Sequence, residues 1–274
     1  MVLRNGSLEA TIAPDAAMLV TSLRHAGEEL LGRRADAETF KRTGKTTGSP
    51  LLYPWANRLS ATQFEVAGRT VDASGARRDP HGSPMHGLPE ARHGWSVEPA
   101  HNDRIAGSLE WKSAAFPFPH AIRVEHQLTD RELVTTTEVD GDVPVAFGWH
   151  PFLQLPGEPR EDWRVEIGAA TRLELDDRML PTGRRAPRER GVARLGDQAF
   201  DEPLADVDGP FVLQGTRRRI EVHFLEGAPY AHFFAPNAET LVSFEPMAAP
   251  GDALVTGEDL QAAPWRMRFS IRVL

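Results

Sequence analysis

The chain has 274 residues, 41% hydrophobic and 26% charged, with a net charge of -8 at neutral pH. That balance fits a globular protein with a substantial core and excludes the basic footprint of a nucleic-acid binder. With no cysteine there is no disulfide, no thiolate nucleophile and no Cys-containing zinc site.

The first residues, Met1-Val2-Leu3-Arg4-Asn5-Gly6, lack the apolar core and small-residue cleavage site of a secretory leader. No stretch approaches the ~18 uninterrupted apolar residues of a spanning helix. A cytoplasmic location, with no membrane and no nucleic-acid partner, is the expectation.

From the N-terminus onward the pattern is one of short strands. Leu8–Ile12 and Leu19–Arg24 come first. Gln63–Val66 and Arg69–Asp72 flank Ala67-Gly68 as a hairpin. Arg104–Trp111 precedes a longer candidate hairpin, in which Ala121–Leu128 alternates polar and apolar residues and Leu133–Val139 is rich in β-branching. Further strands are expected at Arg164–Ile167, Thr171–Leu175, Ile220–Leu225, Ala231–Ala235, Leu241–Glu245 and Met267–Leu274.

The 23 Gly and 22 Pro punctuate too often for a helical bundle. Only a short helix near Gly251–Leu260 is expected. The polar, basic run Pro181 to Gly191 reads as an exposed loop, and Arg184-Arg185 and Arg217-Arg218-Arg219 as solvated clusters. No linker and no repeat of 20–50 residues is visible. The expectation is a single all-β domain over residues 1–274, mostly antiparallel, as a sandwich or barrel.

Candidate chemistry falls in three places. Pro151 biases His150, within Phe147-Gly148-Trp149-His150-Pro151-Phe152, toward extended backbone at a strand end. There its ring is presented as a proton donor or acceptor. Glu245, in Ser243-Phe244-Glu245-Pro246-Met247, has apolar neighbours. Desolvation would raise its pKa unless a cation compensates, which suits a general base near neutrality; a strand-end glutamate in a salt bridge is the plainer alternative.

In Tyr53-Pro54-Trp55-Ala56-Asn57-Arg58-Leu59-Ser60, Asn57 and Arg58 offer fixed donors beside aromatic faces, as a sugar requires. Equally, Arg58 could pair with a structural carboxylate and Trp55 belong to the core. Three His-Gly pairs, at His81, His86 and His93, match no helical ligand spacing. No metal is expected, and His86 is the best placed of the three for a buried polar role. There is no phosphate-binding or dinucleotide loop.

Taken together, these segments resemble the aldose 1-epimerase (galactose mutarotase-like) superfamily. The matching pieces run in order: Pro54-Trp55-Ala56-Asn57-Arg58-Leu59, Met85-His86-Gly87-Leu88 with Trp95, and Gly148-Trp149-His150-Pro151-Phe152. Then follow Leu180-Pro181-Thr182-Gly183, Phe200-Asp201 and Phe244-Glu245-Pro246-Met247.

The resemblance implies a β-supersandwich with few short helices and a site in an open cleft. It implies interconversion of α and β anomers of a free aldose, with no metal and no organic cofactor. It also implies that Glu245 is the base at the C1 hydroxyl and His150 the acid at the ring oxygen. Asn57, Arg58, His86 and Asp201 would bind the sugar, Asp201 being chosen over nearby Asp197 and Asp206.

Trp149 stands where many galactose mutarotases carry a smaller polar residue, so it is expected to influence which sugar is accepted. A related branch acts on hexose 6-phosphates, for which Arg33, Arg34, Lys41, Arg42 and Lys45 are candidate phosphate ligands. A third alternative is a non-catalytic carbohydrate-binding protein. The expected partner is a small-molecule sugar, and the expected state a monomer with a dimer as alternative.

Overall fold

The computed structural model describes residues 1–274. Two large sheets, of nine and eight strands, dominate, and a four-stranded N-terminal sheet packs with them. Every strand pair in these sheets is antiparallel. No helix is long and apolar enough to cross a membrane.

The nine-stranded sheet is built around His120–Leu128, Glu132–Gly141, Trp265–Val273 and Arg219–Glu226. The hairpin expected from alternation is there, with Leu128 opposite Leu133 and Val124 opposite Thr137. The second sheet runs Pro181–Arg188, Ala170–Leu175, Phe200–Ala205, Tyr230–Ala235, Val242–Met247, Gly148–Trp149, Leu51–Leu52. Phe152–Leu153 also pairs with Val242–Met247.

Successive side chains of a strand point to opposite faces, and the second sheet uses both. Phe233 and Phe244 turn inward, where Phe244 meets Phe211 of the nine-stranded sheet with ring centroids 5.6 Å apart. The core formed this way is contiguous, with 58 buried residues drawn from all three sheets. His232, Phe234, Ser243 and Glu245 take the opposite face, which forms the floor of a cleft.

Two expectations are corrected. The run from Pro181 is a strand, Pro181–Arg188, hydrogen-bonded to Ala170–Leu175 at the sheet edge. Its polarity reflects exposure, and an edge strand tolerates Pro187 because one row of its backbone groups faces solvent. Its arginines are paired: Arg184 with Glu174, Arg185 with Glu258 and Asp259, as Arg218 is with Glu28.

A seven-residue helix, Ala37–Thr43, was not anticipated. It is too short for a sustained apolar stripe, but its ends are marked. Asp36 caps the N-terminus by accepting from Thr39 N–H, and Gly44 closes the other end at φ 71°. The expected C-terminal helix reduces to one turn, Ala253–Thr256.

Candidate active site

His150 and Glu245 meet because of strand register. The antiparallel alignment that sets Gly148 opposite Met247 and Phe152 opposite Ser243 puts His150 level with Glu245. Pro151 has no N–H to continue the ladder, so the strand is interrupted there while the alignment is kept. One strand further, His232 lies opposite Glu245. Three ionisable side chains thus stand in a row across the sheet floor.

His150 Nε2 is 3.1 Å from Glu245 Oε1, with 7% and 3% of the two side chains exposed. Hydrogen-bond bookkeeping fixes the imidazole. Ser243 Oγ–H donates to the Pro151 carbonyl, so Oγ accepts from His150 Nδ1–H at 2.8 Å. Nε2 is left facing the carboxyl group, and a single proton joins the two.

Burial lowers the pKa of His150 well below the ordinary value, with the like charge of Arg34 adding to the effect. Burial raises Glu245 well above its own, with the Asp201 charge adding and Arg58 opposing. Both directions favour the uncharged pair, a carboxylic acid donating to Nε2.

Two loops close over this floor. Tyr53 bridges to Gly87 and Arg58 to Met85. At their meeting point His86 N–H donates to the Asn57 carbonyl at 3.0 Å, and Asn57 N–H donates to His86 Nδ1 at 3.3 Å. Asn57 and His86 are left-handed, at φ 60° and 61°, a region these two types enter more readily than most. With Nδ1 accepting, the His86 proton sits on Nε2. Burial and the cations Arg58 and Arg77 push His86 down to about 3, so it stays neutral.

Arg58 both pairs with a structural carboxylate and borders the cleft. Its Nε donates to the fully buried carboxylate of Asp79 at 2.8 Å, yet its guanidinium still lines the cleft. Trp55 belongs wholly to the core. Asp201 borders the cleft with 31% of its side chain exposed, its carboxylate hydrogen-bonded by His232 Nε2. Burial works against the Asp201 charge, but the hydrogen bond from His232 and the charge of Arg58 leave its pKa lowered.

The cleft, about 310 Å³, therefore gathers all six expected residues: Asn57, Arg58, His86, His150, Asp201 and Glu245. It also holds groups that sequence reasoning missed, namely His232, Phe234 and the cation Arg77. His232 lies in an ordinary alternating strand, and only cross-strand neighbours give it a role. Phe234 supplies an aromatic wall, with its ring 5.9 Å from that of His150.

Of the basic residues considered for a phosphate, only Arg34 reaches this cleft; Arg33 pairs with Glu29 and Lys41 with Asp15. His81 and His93 are exposed and apart from it. A larger groove of about 450 Å³ beside the N-terminal sheet contains charged side chains but no histidine, and so no comparable acid–base pair.

Trp149 does not face the cleft. It alternates to the core side between Gly148 and His150, is fully buried, and donates its indole N–H to Thr137 Oγ1 at 2.9 Å. Its ring packs on His126 and Phe269. Any influence on sugar choice through direct contact is excluded by strand alternation.

The sequence profile of the aldose 1-epimerase family matches residues 2–253. The chain belongs to that family. Its fold is the galactose mutarotase-like β-supersandwich, shared with a galactose mutarotase-like protein from Clostridium acetobutylicum at 15% identity and TM-score 0.83, over 100% of this chain and 94% of that one. The aldose epimerase homologue from C. elegans is similar at 16% identity and TM-score 0.83, covering 100% and 98%. The galactose 1-epimerase from Lactobacillus acidophilus superposes at 16% identity and TM-score 0.79, covering 100% and 93%.

Proposed function

We propose that the protein interconverts the α and β anomers of a free hexose, with Glu245 as base and His150 as acid. The observation that carries this reading is the buried 3.1 Å contact of His150 Nε2 with Glu245 Oε1 on the floor of a polar cleft. Membership of an epimerase family supports it.

The reaction needs one proton removed and one delivered. The shared proton of the pair moves to His150 Nε2, leaving Glu245 ionised. Glu245 takes the proton of the C1 hydroxyl, His150 protonates the ring oxygen, and the C1–O5 bond breaks as the C1 oxygen becomes a carbonyl. Rotation about C1–C2 presents the other aldehyde face. Closure reverses both transfers, and the pair ends with the same single proton.

Arg58 and His86 Nε2–H are donors for the oxygens on which charge develops. Asp201 accepts from hydroxyls, and Phe234 offers a surface to the apolar C–H face. Acid–base groups of this kind contribute ~10²–10⁴-fold, which suffices for a reaction that already proceeds in water. The test is anomeric exchange of fresh α-D-glucose or α-D-galactose by polarimetry or NMR. Glu245→Gln and His150→Asn should each lose ~10²-fold or more with the fold unchanged. Exchange at the wild-type rate in both variants would overturn the assignment, and tight sugar binding without exchange would mark a binding protein instead.

One observation favours a second reading, a phosphorylated aldose. Arg34 and Arg77 border the cleft close enough for the charge of Arg34 to lower the pKa of Arg77, after burial as the larger cause. Arg34 is paired with Glu239, while Arg77 makes no ion pair. A preference for glucose 6-phosphate over glucose that disappears in Arg77→Ala supports it; equal rates on both sugars reject it.

A further inference from the structure

We infer that His232 is a positioning residue that joins the two sugar-binding walls of the cleft through one directed line of hydrogen bonds, Arg58 to Asn57 to His232 to Asp201. The inference rests on the epimerase reading for its kinetic consequences, but the line itself stands on geometry. Arg58 Nη1–H donates to Asn57 Oδ1 at 3.0 Å. That contact orients the amide, because the reverse orientation would set two donors against each other. The amide nitrogen of Asn57 then faces His232 Nδ1 at 2.9 Å and donates to it.

An accepting Nδ1 carries no proton, so the proton of His232 lies on Nε2, where it donates to Asp201 Oδ1. An imidazolium is excluded for the same reason, since its Nδ1–H would confront the Asn57 N–H. His232 is therefore held in one neutral tautomer by its neighbours on both sides. It is unsuited to proton transfer while the line is intact.

Its position explains how it acts. The His232 side chain is 3% exposed and that of Asp201 31%. The buried histidine occupies one carboxylate oxygen from behind and leaves the other, Oδ2, for a hydroxyl. On its far side it fixes Asn57, whose Oδ1 in turn restrains the guanidinium of Arg58. The remaining contact of Arg58, with Asp79, is anchored by Ser83 N–H and His81 N–H at 2.8 and 3.0 Å. Asp201 and Arg58, on separate elements, are thereby held at one spacing, and that spacing sets which hydroxyl pattern is bound.

Substitution separates this role from simple packing. Glutamine presents an acceptor and a donor at nearly the separation of the two imidazole nitrogens, whereas phenylalanine keeps ring shape and removes both. His232→Phe is expected to raise KM for the aldose about 10- to 100-fold, the scale of a lost hydrogen bond to a charged group, with kcat changed less than about 3-fold. His232→Gln should restore KM to within a few-fold. In an Asp201→Asn background, His232→Phe should add little, because it acts through Asp201.

Nitrogen NMR of the labelled wild type should show His232 protonated at Nε2 and bare at Nδ1 near neutral pH. The proposal is overturned by an unchanged KM in folded His232→Phe, by failure of His232→Gln to rescue, or by an imidazolium or opposite tautomer in the NMR spectrum. If His232→Phe does not fold, the glutamine variant and the NMR spectrum still decide. Absence of anomeric exchange in the wild type would instead defeat the epimerase reading and leave the NMR test of the line in force.

Discussion

At the scale of single residues, the proposed mechanism reduces to one proton shared by His150 and Glu245. Raising the pH removes it, leaving neutral His150 with nothing to give the ring oxygen. Lowering the pH adds a second proton, leaving no base for the C1 hydroxyl. We expect kcat/KM to fall on both sides. Burial lowers His150 from 6.5 and raises Glu245 from 4.5. The acid limb should therefore lie below the ordinary histidine value and the alkaline limb well above the ordinary carboxylate value, as apparent constants of the pair. A rate profile with a single limb would show that the two groups do not act together.

Residues also mark where the sequence is readable. His150 and Glu245 stand out because each precedes a proline, His150 in an aromatic run and Glu245 among apolar neighbours. His232 and Ser243 do not, since each occupies an unremarkable strand position. Their roles arise from register between strands far apart in the chain, and no local pattern encodes that. Trp149 misled for a related reason: its proximity to His150 in sequence suggested the cleft, while the two-residue period of the strand turns it to the core.

Among the elements, the pair of loops carrying Asn57 and His86 is the most demanding. Gly87 sits at φ 82°, and a Cβ there would lie 1.9 Å from the Tyr53 carbonyl oxygen, which is backbone and cannot yield. Gly82, in the same segment at φ 85°, has nothing within 4 Å of a built Cβ. Gly87→Ala should cost roughly 2–4 kcal/mol and displace His86, with lost activity. Gly82→Ala should cost only about 1–2 kcal/mol of backbone strain. Thermal melts and exchange rates of the two variants check this; equal stability would mean the loops relax apart freely. The strands themselves were legible from alternation, whereas the edge strand Pro181–Arg188 was obscured by its exposure and the helix Ala37–Thr43 by its shortness.

For the whole molecule, buried neutral histidines couple stability to acid. His126 bridges the N-terminal segment and the nine-stranded sheet, with Nε2 bonded to the Met18 carbonyl at 2.8 Å and Nδ1 to Thr135 Oγ1 at 3.0 Å. Burial holds its pKa at about 4 against 6.5 in the unfolded chain. Between those values the unfolded state binds a proton that the folded state refuses, so stability rises with pH in this window. The contribution of His126 is complete above about pH 6.5 and is lost as the pH falls toward about 4, on the order of 3 kcal/mol.

His86 acts in the same direction. Glu245 has the opposite sign: its raised pKa gives stability at low pH that is lost as the pH climbs through the raised value. Denaturant midpoints measured against pH for wild type and His126→Gln isolate the His126 part. Parallel curves for the two proteins would refute it.

The row of His150, Glu245 and His232 across neighbouring strands has a mechanical meaning. The gap between acid and base is the gauge between adjacent strands, ~4.7–4.9 Å from backbone to backbone, held by the hydrogen bonds of the sheet interior. Such a site has no open and closed forms of its acid–base spacing to choose between. Under the proposed function, the sugar must fit a ruler already cut, and adaptation is left to the loops above it.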